Sequence, residues 1–520
     1  MAVEGAAAGS GRDGSAGVAG SGDQVRFERN ITWHDGFWLV FSAGPAIFAL
    51  IGYSVGVLGA WTAMALWGVS TIVALLQIVL FAEMAAMFPN KPGGIALYAF
   101  EAWRKHFSPV GPLAAVGYWA GWSFALGVYA TVIGGLIQAQ FFPHATWTVW
   151  DGAVHLGLQH FIGVGAIFLV WALNVFGVRP AAFVNRAIGI LAGLVVLVLL
   201  IGPFITGTWS SAHLTWGLGQ HGQAWGGWKL ALVYLYVMGW SAYSAESAAT
   251  YSPEYRDQKR DSRRALGSVA LILILFMTLG SIAPAGVVSA QDVVNNPVTF
   301  LTHAFHRVLG GGSGFFTVVI CLALLANMVN ATADAGRAMY GIARDGMIIK
   351  QLDYLNKHNM PSRAMTLDLV VNTLLVLFVG NTLGILFASN LGYMVAIFFA
   401  VTGFILLRRD RPKWPRPIRA GRGWVAVAAV VAVFNAIIII VGATSPGLAG
   451  YGGSTEALIG VGILLSSLVL FVIRRRLQDK VPLRLREWVP ATPEQAAAMG
   501  DRDGTHEYDA QKLTLSSERP

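Results

Sequence analysis

The chain has 520 residues, of which 55% are hydrophobic and 12% charged, with a mean hydropathy of +0.59 and a formal net charge of +9. Soluble domains carry about 25% charged residues, so the composition describes a polytopic membrane protein and leaves no room for a large soluble domain. Cys321 is the one cysteine, which excludes an intrachain disulfide and a cysteine-based metal site.

Residues 1–30 are rich in Gly, Ala and Ser and have no apolar core. They read as a disordered tail and not as a cleavable signal. Apolar segments of spanning length then follow at 37–59, 62–87, 111–142, 158–178, 180–208, 229–252, 264–289, 313–344, 363–380, 383–407, 423–443 and 456–473. Twelve spans put both termini on one side. With the termini and the even-numbered hairpin loops assigned to the cytoplasm, 34 of the 36 Lys and Arg lie there, and only Lys229 and Arg307 fall outside. The positive charge is therefore a topology signal, and a nucleic-acid role is not expected. The outer loops hold Trp147, Trp150, Trp209, Trp216, Trp225 and Trp228, a pattern that fits an interfacial aromatic belt.

The first span is interrupted by Ser42, Ala43, Gly44, Pro45 and Ala46. Pro45 lacks an N–H and its ring clashes with the carbonyl four residues back, so an unbroken helix is costly there. The sixth span repeats the anomaly: Gly239, Ser241, Ser244 and Ser247 break its apolar run, and Glu246 sits within it. A charge at such a depth costs about 2.5–3.5 kcal/mol on insertion scales unless it is paired, hydrated or protonated. A Gly/Ser-rich packing face with a protonated Glu is one reading of the sixth span, and a repaired proline kink is one reading of the first. Two interruptions at matching depth favour discontinuous helices around a mid-membrane site. Hydrocarbon cannot satisfy the freed backbone groups, whereas a substrate carboxylate and ammonium can.

Four motifs strengthen this reading: AEMAAMFPNKPGGIALY at 82–98, NVFGV at 174–178, ESAATYSPEYRDQKRDSRRAL at 246–266, and GRAMYGIARDG at 336–346 followed by NKHNMPSRA at 356–364. Together they resemble the amino acid–polyamine–organocation permease superfamily over most of 37–410. The resemblance implies an all-α membrane protein whose helices one and six are discontinuous. The first inverted repeat would cover 31–208 (helices one to five) and the second 229–408 (helices six to ten). Helices eleven and twelve would cover 423–474, and the cytoplasmic tail 475–520. It also implies that Ser42–Ala46 and Gly239–Ala245 unwind around an amino acid or related amine, and that Glu246 is linked to proton or amine sensing. The chain departs from the family pattern at Pro45, which removes a donor from the carboxylate cradle. It also lacks a lysine in 180–208, where some relatives use one near the position of Ala192.

Other polar positions stay open. Asp334, with Thr332, is either a sodium ligand or protonatable group, or else a helical partner of Arg337. Asn327 and Asn330 suit packing hydrogen bonds. Trp240 and Tyr243 flank the sixth-span break as gate or packing residues. Trp119, Trp122, Ser123 and Tyr129, and more remotely Asn390 and Tyr393, are further pocket candidates. Glu83 and Glu101 are expected to pair with Lys91, Arg104 or Lys105, and Arg408–Arg422 to anchor on anionic lipid. His303 and His306 have metal-compatible spacing but suit a solvated segment. There is no P-loop and no HExxH motif, so neither ATP-driven transport nor an enzyme is expected, and no metal or cofactor beyond H⁺ or Na⁺ as coupling ion. The expected partners are a small amino acid or amine and the lipid of the cell membrane, with the protein a monomer or homodimer. The expected function is a secondary active amino acid transporter working by alternating access. An amine or polyamine carrier, an amino acid/amine antiporter and a non-transporting nutrient sensor are the alternatives.

Overall fold

A computed structural model describes residues 32–34, 48–88, 94–151, 155–177, 182–218, 227–246, 256–380, 382–450, 453–492 and 494–495. The N-terminal tail, Ser42–Ala46 and Lys91 lie outside them. In chain order the helices are α1 (Phe48–Leu58), α2 (Ala60–Met87), α3 (Gly94–Trp103), α4 (Val110–Ser123), α5 (Ala125–Phe141), α6 (Leu158–Val175), α7 (Ala182–Ile205), α8 (Trp228–Ala242) and α9 (Gln258–Ile282). They continue with α10 (Ala290–Asn295), α11 (Phe300–Leu309), α12 (Ser313–Arg344), α13 (Ser362–Phe378), α14 (Thr382–Asp410), α15 (Trp424–Thr444) and α16 (Ser454–Ile473).

Among the described residues, eight helical stretches are long and apolar enough to cross a membrane. The other four expected spans fall on α1, α8, α9 and α13. The front of the first span lies outside the described residues, and α8 stops after 15 residues. Helix α13 has 17 residues, and α9, after its charged start QKRDSRR, carries an uncharged apolar run of spanning length at 265–282. Among the described residues the strands are those of one hairpin, β1 (Thr148–Asp151) and β2 (His155–Gly157), antiparallel, in the loop between α5 and α6. Thr148, Val149 and Trp150 supply the branched and aromatic side chains that favour a strand where no helix face is available.

Helix α14 is the packing axis. It lies against α3, α4, α15 and α16 and is buried along most of its length. Its closest neighbour is α4: a Cβ built on Gly117 would overlap the Gly392 carbonyl, and one on Gly392 would crowd Gly117. Small residues let the two backbones approach, which is how membrane helices gain packing energy without a hydrophobic driving force between them.

The basic face is folded and does not simply meet lipid. Glu83, at the end of α2, accepts from Arg408 Nη2 (2.6 Å), Arg408 Nε (3.0 Å), Arg416 Nε (3.1 Å) and the Ala420 N–H (2.9 Å). Glu101 takes Arg411 at 2.7 Å and Arg104 at 3.0 Å. The arginines of 408–416 are therefore largely internal counter-ions, which corrects their reading as a lipid anchor. Glu83 is likewise paired across the fold, with Arg408 and Arg416. The segment after α16 also docks. The Arg474 guanidinium donates to the Ala343 and Ile348 carbonyls, and Asp479 joins Arg474 (2.7 Å) and Lys350 (2.9 Å). Farther on, the Ser108 N–H donates to the Leu485 carbonyl and the Glu487 N–H to the Arg104 carbonyl, both at 2.8 Å.

Candidate functional site

Helix α8 ends at Ala242, and the chain continues as a tight 3₁₀ turn over Tyr243–Glu246. Gly239 and Ser241 are weak helix formers at the point of change, and a 3₁₀ turn shifts the bonding from i+4 to i+3. Trp240 anchors the helix just before it. Its indole N–H donates to the Gly121 carbonyl (3.1 Å), and its ring meets Tyr129 edge-on at 6.3 Å. The Tyr243 ring is buried against Gly239, with its hydroxyl unpartnered among the described residues. Ser241 is buried; of Ser244 the backbone is described and the side chain is not.

The turn delivers Glu246 into the interior, where the residue is 1% exposed. Its Oε1 accepts from the Tyr393 hydroxyl of α14 at 3.0 Å, and its Oε2 from the Tyr118 hydroxyl of α4 at 3.5 Å. The rings of Tyr118 and Tyr393 lie 6.1 Å apart, and Trp122 meets Tyr118 edge-on at 6.4 Å. Among the described residues no cation pairs with Glu246. Four carboxylates are buried among the described residues: Glu83, Glu101, Glu246 and Asp368. The first two have arginines on them, whereas Glu246 and Asp368 have only neutral donors. A buried carboxylate without a counter-ion is costly, so such a group is held for a ligand or proton more readily than for stability.

The other candidates separate. Thr332 is fully buried and its hydroxyl donates to the Met328 carbonyl of its own helix. Asp334, two residues on, has a side chain 47% exposed and stands 4.0 Å from Arg337. The two positions lie on different faces of α12, so the helical partner is the observed arrangement for Asp334. Asn327 is buried and Asn330 exposed. Asn390 donates to the Tyr236 carbonyl at 2.6 Å. His303 and His306 are both exposed, and no cluster of three metal-ligating side chains occurs among the described residues. Of the span-three group, Trp119 and Ser123 turn away from Glu246 to Asp368, at 2.9 and 2.6 Å. Tyr118 and Asp368 were not singled out from the sequence. Asp368 carried a legible signal, a lone acid inside an apolar run; Tyr118 did not, because an aromatic in a membrane helix reads as packing.

A sequence profile described as amino acid permease matches residues 31–468. An uncharacterized transporter of Mycobacterium tuberculosis is 24% identical over 392 residues, covering 74% of this chain and 82% of that protein. An uncharacterized amino acid permease of Bacillus subtilis is 25% identical over 286 residues, 53% of this chain and 62% of that protein. The branched-chain amino acid permease of Lactococcus lactis is 25% identical over 201 residues, 38% and 41% of the respective chains.

Proposed function

The chain belongs to the amino acid permease family, and from that membership we propose that it is a secondary active transporter carrying an amino acid across the cell membrane with protons, both termini cytoplasmic. The observation that carries the reading is Glu246: a buried carboxyl in the 3₁₀ turn that follows α8, held by two tyrosine hydroxyls and by no cation among the described residues. Such a group can exchange a proton while its surroundings stay neutral. The amino acid sits against the sixth span where α8 passes into the 3₁₀ turn at Tyr243–Glu246, so the change of conformation falls after Ala242 and not at Gly239. Ser42–Ala46, the expected binding segment of the first span, lie outside the described residues. Trp240 and Tyr243 close over it.

The bundle that contains the broken helices rocks against a scaffold, so the site faces one side at a time. A half-exposed Asp334 weighs against a sodium site with Thr332, and protons are preferred for that reason. No covalent chemistry is assigned to the chain. Counterflow in proteoliposomes tests the proposal. Vesicles preloaded with one unlabelled amino acid from a panel should take up the same labelled amino acid faster than empty vesicles. Binding without counterflow would make the chain a sensor, and counterflow with polyamines alone would make it an amine carrier.

A further inference from the structure

Asp368 is the second carboxylate that the fold buries without a cation. It sits in the middle of α13 and is 0% exposed. Both donors that reach it, the Trp119 indole N–H and the Ser123 hydroxyl, converge on Oδ1. Oδ2 is buried and has no partner among the described residues. Asn372, one turn along α13, completes the cluster: its amide donates to Ser123 Oγ at 3.2 Å and to the Asp368 carbonyl at 2.8 Å, and its Oδ1 accepts the Gly127 N–H at 3.0 Å.

The elements packed against α13 carry His160 on α6, Tyr129 on α5, Tyr118 on α4, Cys321, Asp334, Arg337, Tyr340 and Arg344 on α12, and Lys350 beyond it. None of these, nor Arg363 on α13 itself, forms an ion pair or hydrogen bond with Asp368.

An anionic Asp368 would leave one charged oxygen bare in the membrane interior. A neutral one leaves only an uncharged hydroxyl unpartnered, which is much the cheaper state. The surrounding oxygens do not form a cation cage. The hydroxyl of Ser123 is spent on Oδ1 and the Asn372 oxygen on a backbone N–H, so the occupant that fits is a proton.

We propose that Asp368 is a second membrane-embedded proton-binding site, joined to Glu246 by one turn of α4. Tyr118 and Trp122, four residues apart, face Glu246 and its tyrosine pair. Trp119 and Ser123, also four apart, face Asp368. A rotation or shift of this turn alters the donors at both carboxyls together. The protonation of Asp368 stands on this geometry alone; its link to Glu246 rests on the transport reading.

Infrared spectroscopy of the full-length protein in liposomes tests the site without any substrate. In the Glu246→Gln background at neutral pH, a protonated-carboxyl C=O stretch is expected that disappears on adding Asp368→Asn. Ser123→Ala removes a hydrogen bond to the carbonyl oxygen and is expected to move that band to higher frequency. This second variant decides the matter if Asp368→Asn does not fold. A spectrum unchanged by both variants would overturn the proposal, and so would loss of the band on adding sodium at constant pH, which would reassign the site to a metal cation. Failure of counterflow with the band intact would refute the transport reading and leave the proton site standing.

Discussion

The Tyr393 hydroxyl donates to Glu246 across 3.0 Å, joining two residues 147 positions apart, one on α14 and one in the 3₁₀ turn that follows α8. The bond fixes where the carboxyl points. It also gives the site a donor that does not change charge when the carboxyl does.

Tyr393→Phe removes that donor and keeps the ring. A hydrogen bond to a charged group contributes about 1.5–3 kcal/mol, so transport is expected to fall roughly ten- to hundredfold with normal expression and elution. Tyr118→Phe removes a contact of 3.5 Å, at the limit of hydrogen bonding, and is expected to lose less than about fivefold. Uptake rates of the two variants, measured side by side, check the order; equal losses would deny Tyr393 its leading role.

Gly117→Ala places a methyl group against the Gly392 backbone where α4 crosses α14. Neither backbone can give way without moving a helix. Overpacking of this kind costs about 1–3 kcal/mol, and thermal unfolding in detergent should show a lower midpoint. An unchanged midpoint would mean that the crossing is looser than described.

Glu83→Gln leaves Arg408 and Arg416 facing a neutral amide, with side chains only 15% and 5% exposed. Breaking a buried ion pair from one side costs about 3–5 kcal/mol. The variant should express poorly or melt early, and the same assay checks it. Glu83→Gln at wild-type stability would return these arginines to a lipid-facing role.

Asp479 supplies the pH-dependent contact of the docked tail. Partial burial pushes its carboxyl up, but hydrogen bonds from Arg474 and Lys350 and their charges outweigh this and hold it below the usual aspartate range. The folded value is thus the lower one. The stability it adds is fully present above the unfolded value of about 3.9 and is lost as pH falls through the folded value. Proteolysis of the tail should therefore be unchanged between neutral pH and mild acid. Asp479→Asn should raise tail cleavage at neutral pH, and equal cleavage in variant and wild type would remove Asp479 from the docking contact.

Glu246 was legible because a charge in an apolar run is conspicuous wherever it falls. Asp368 carries the same signal, a lone acid within the apolar run of the ninth span. The partners of Glu246 could not be read. Tyr118 and Tyr393 sit among apolar residues, and only the fold shows that their hydroxyls converge. The arginine cluster fails for a related reason. Sequence proximity favours Lys91 or Arg104 for Glu83, whereas the fold brings Arg408 to it across 325 positions. Composition and basic-residue asymmetry carry the membrane class; long-range polar pairing depends on helix packing, which no local pattern encodes.

The most direct test is proton-driven uptake of a labelled amino acid, chosen by counterflow, into proteoliposomes with an imposed inward proton gradient. The wild type is expected to accumulate it above equilibration, and Glu246→Gln to lose that accumulation while keeping exchange. Gradient-driven accumulation that persists in Glu246→Gln would contradict the account.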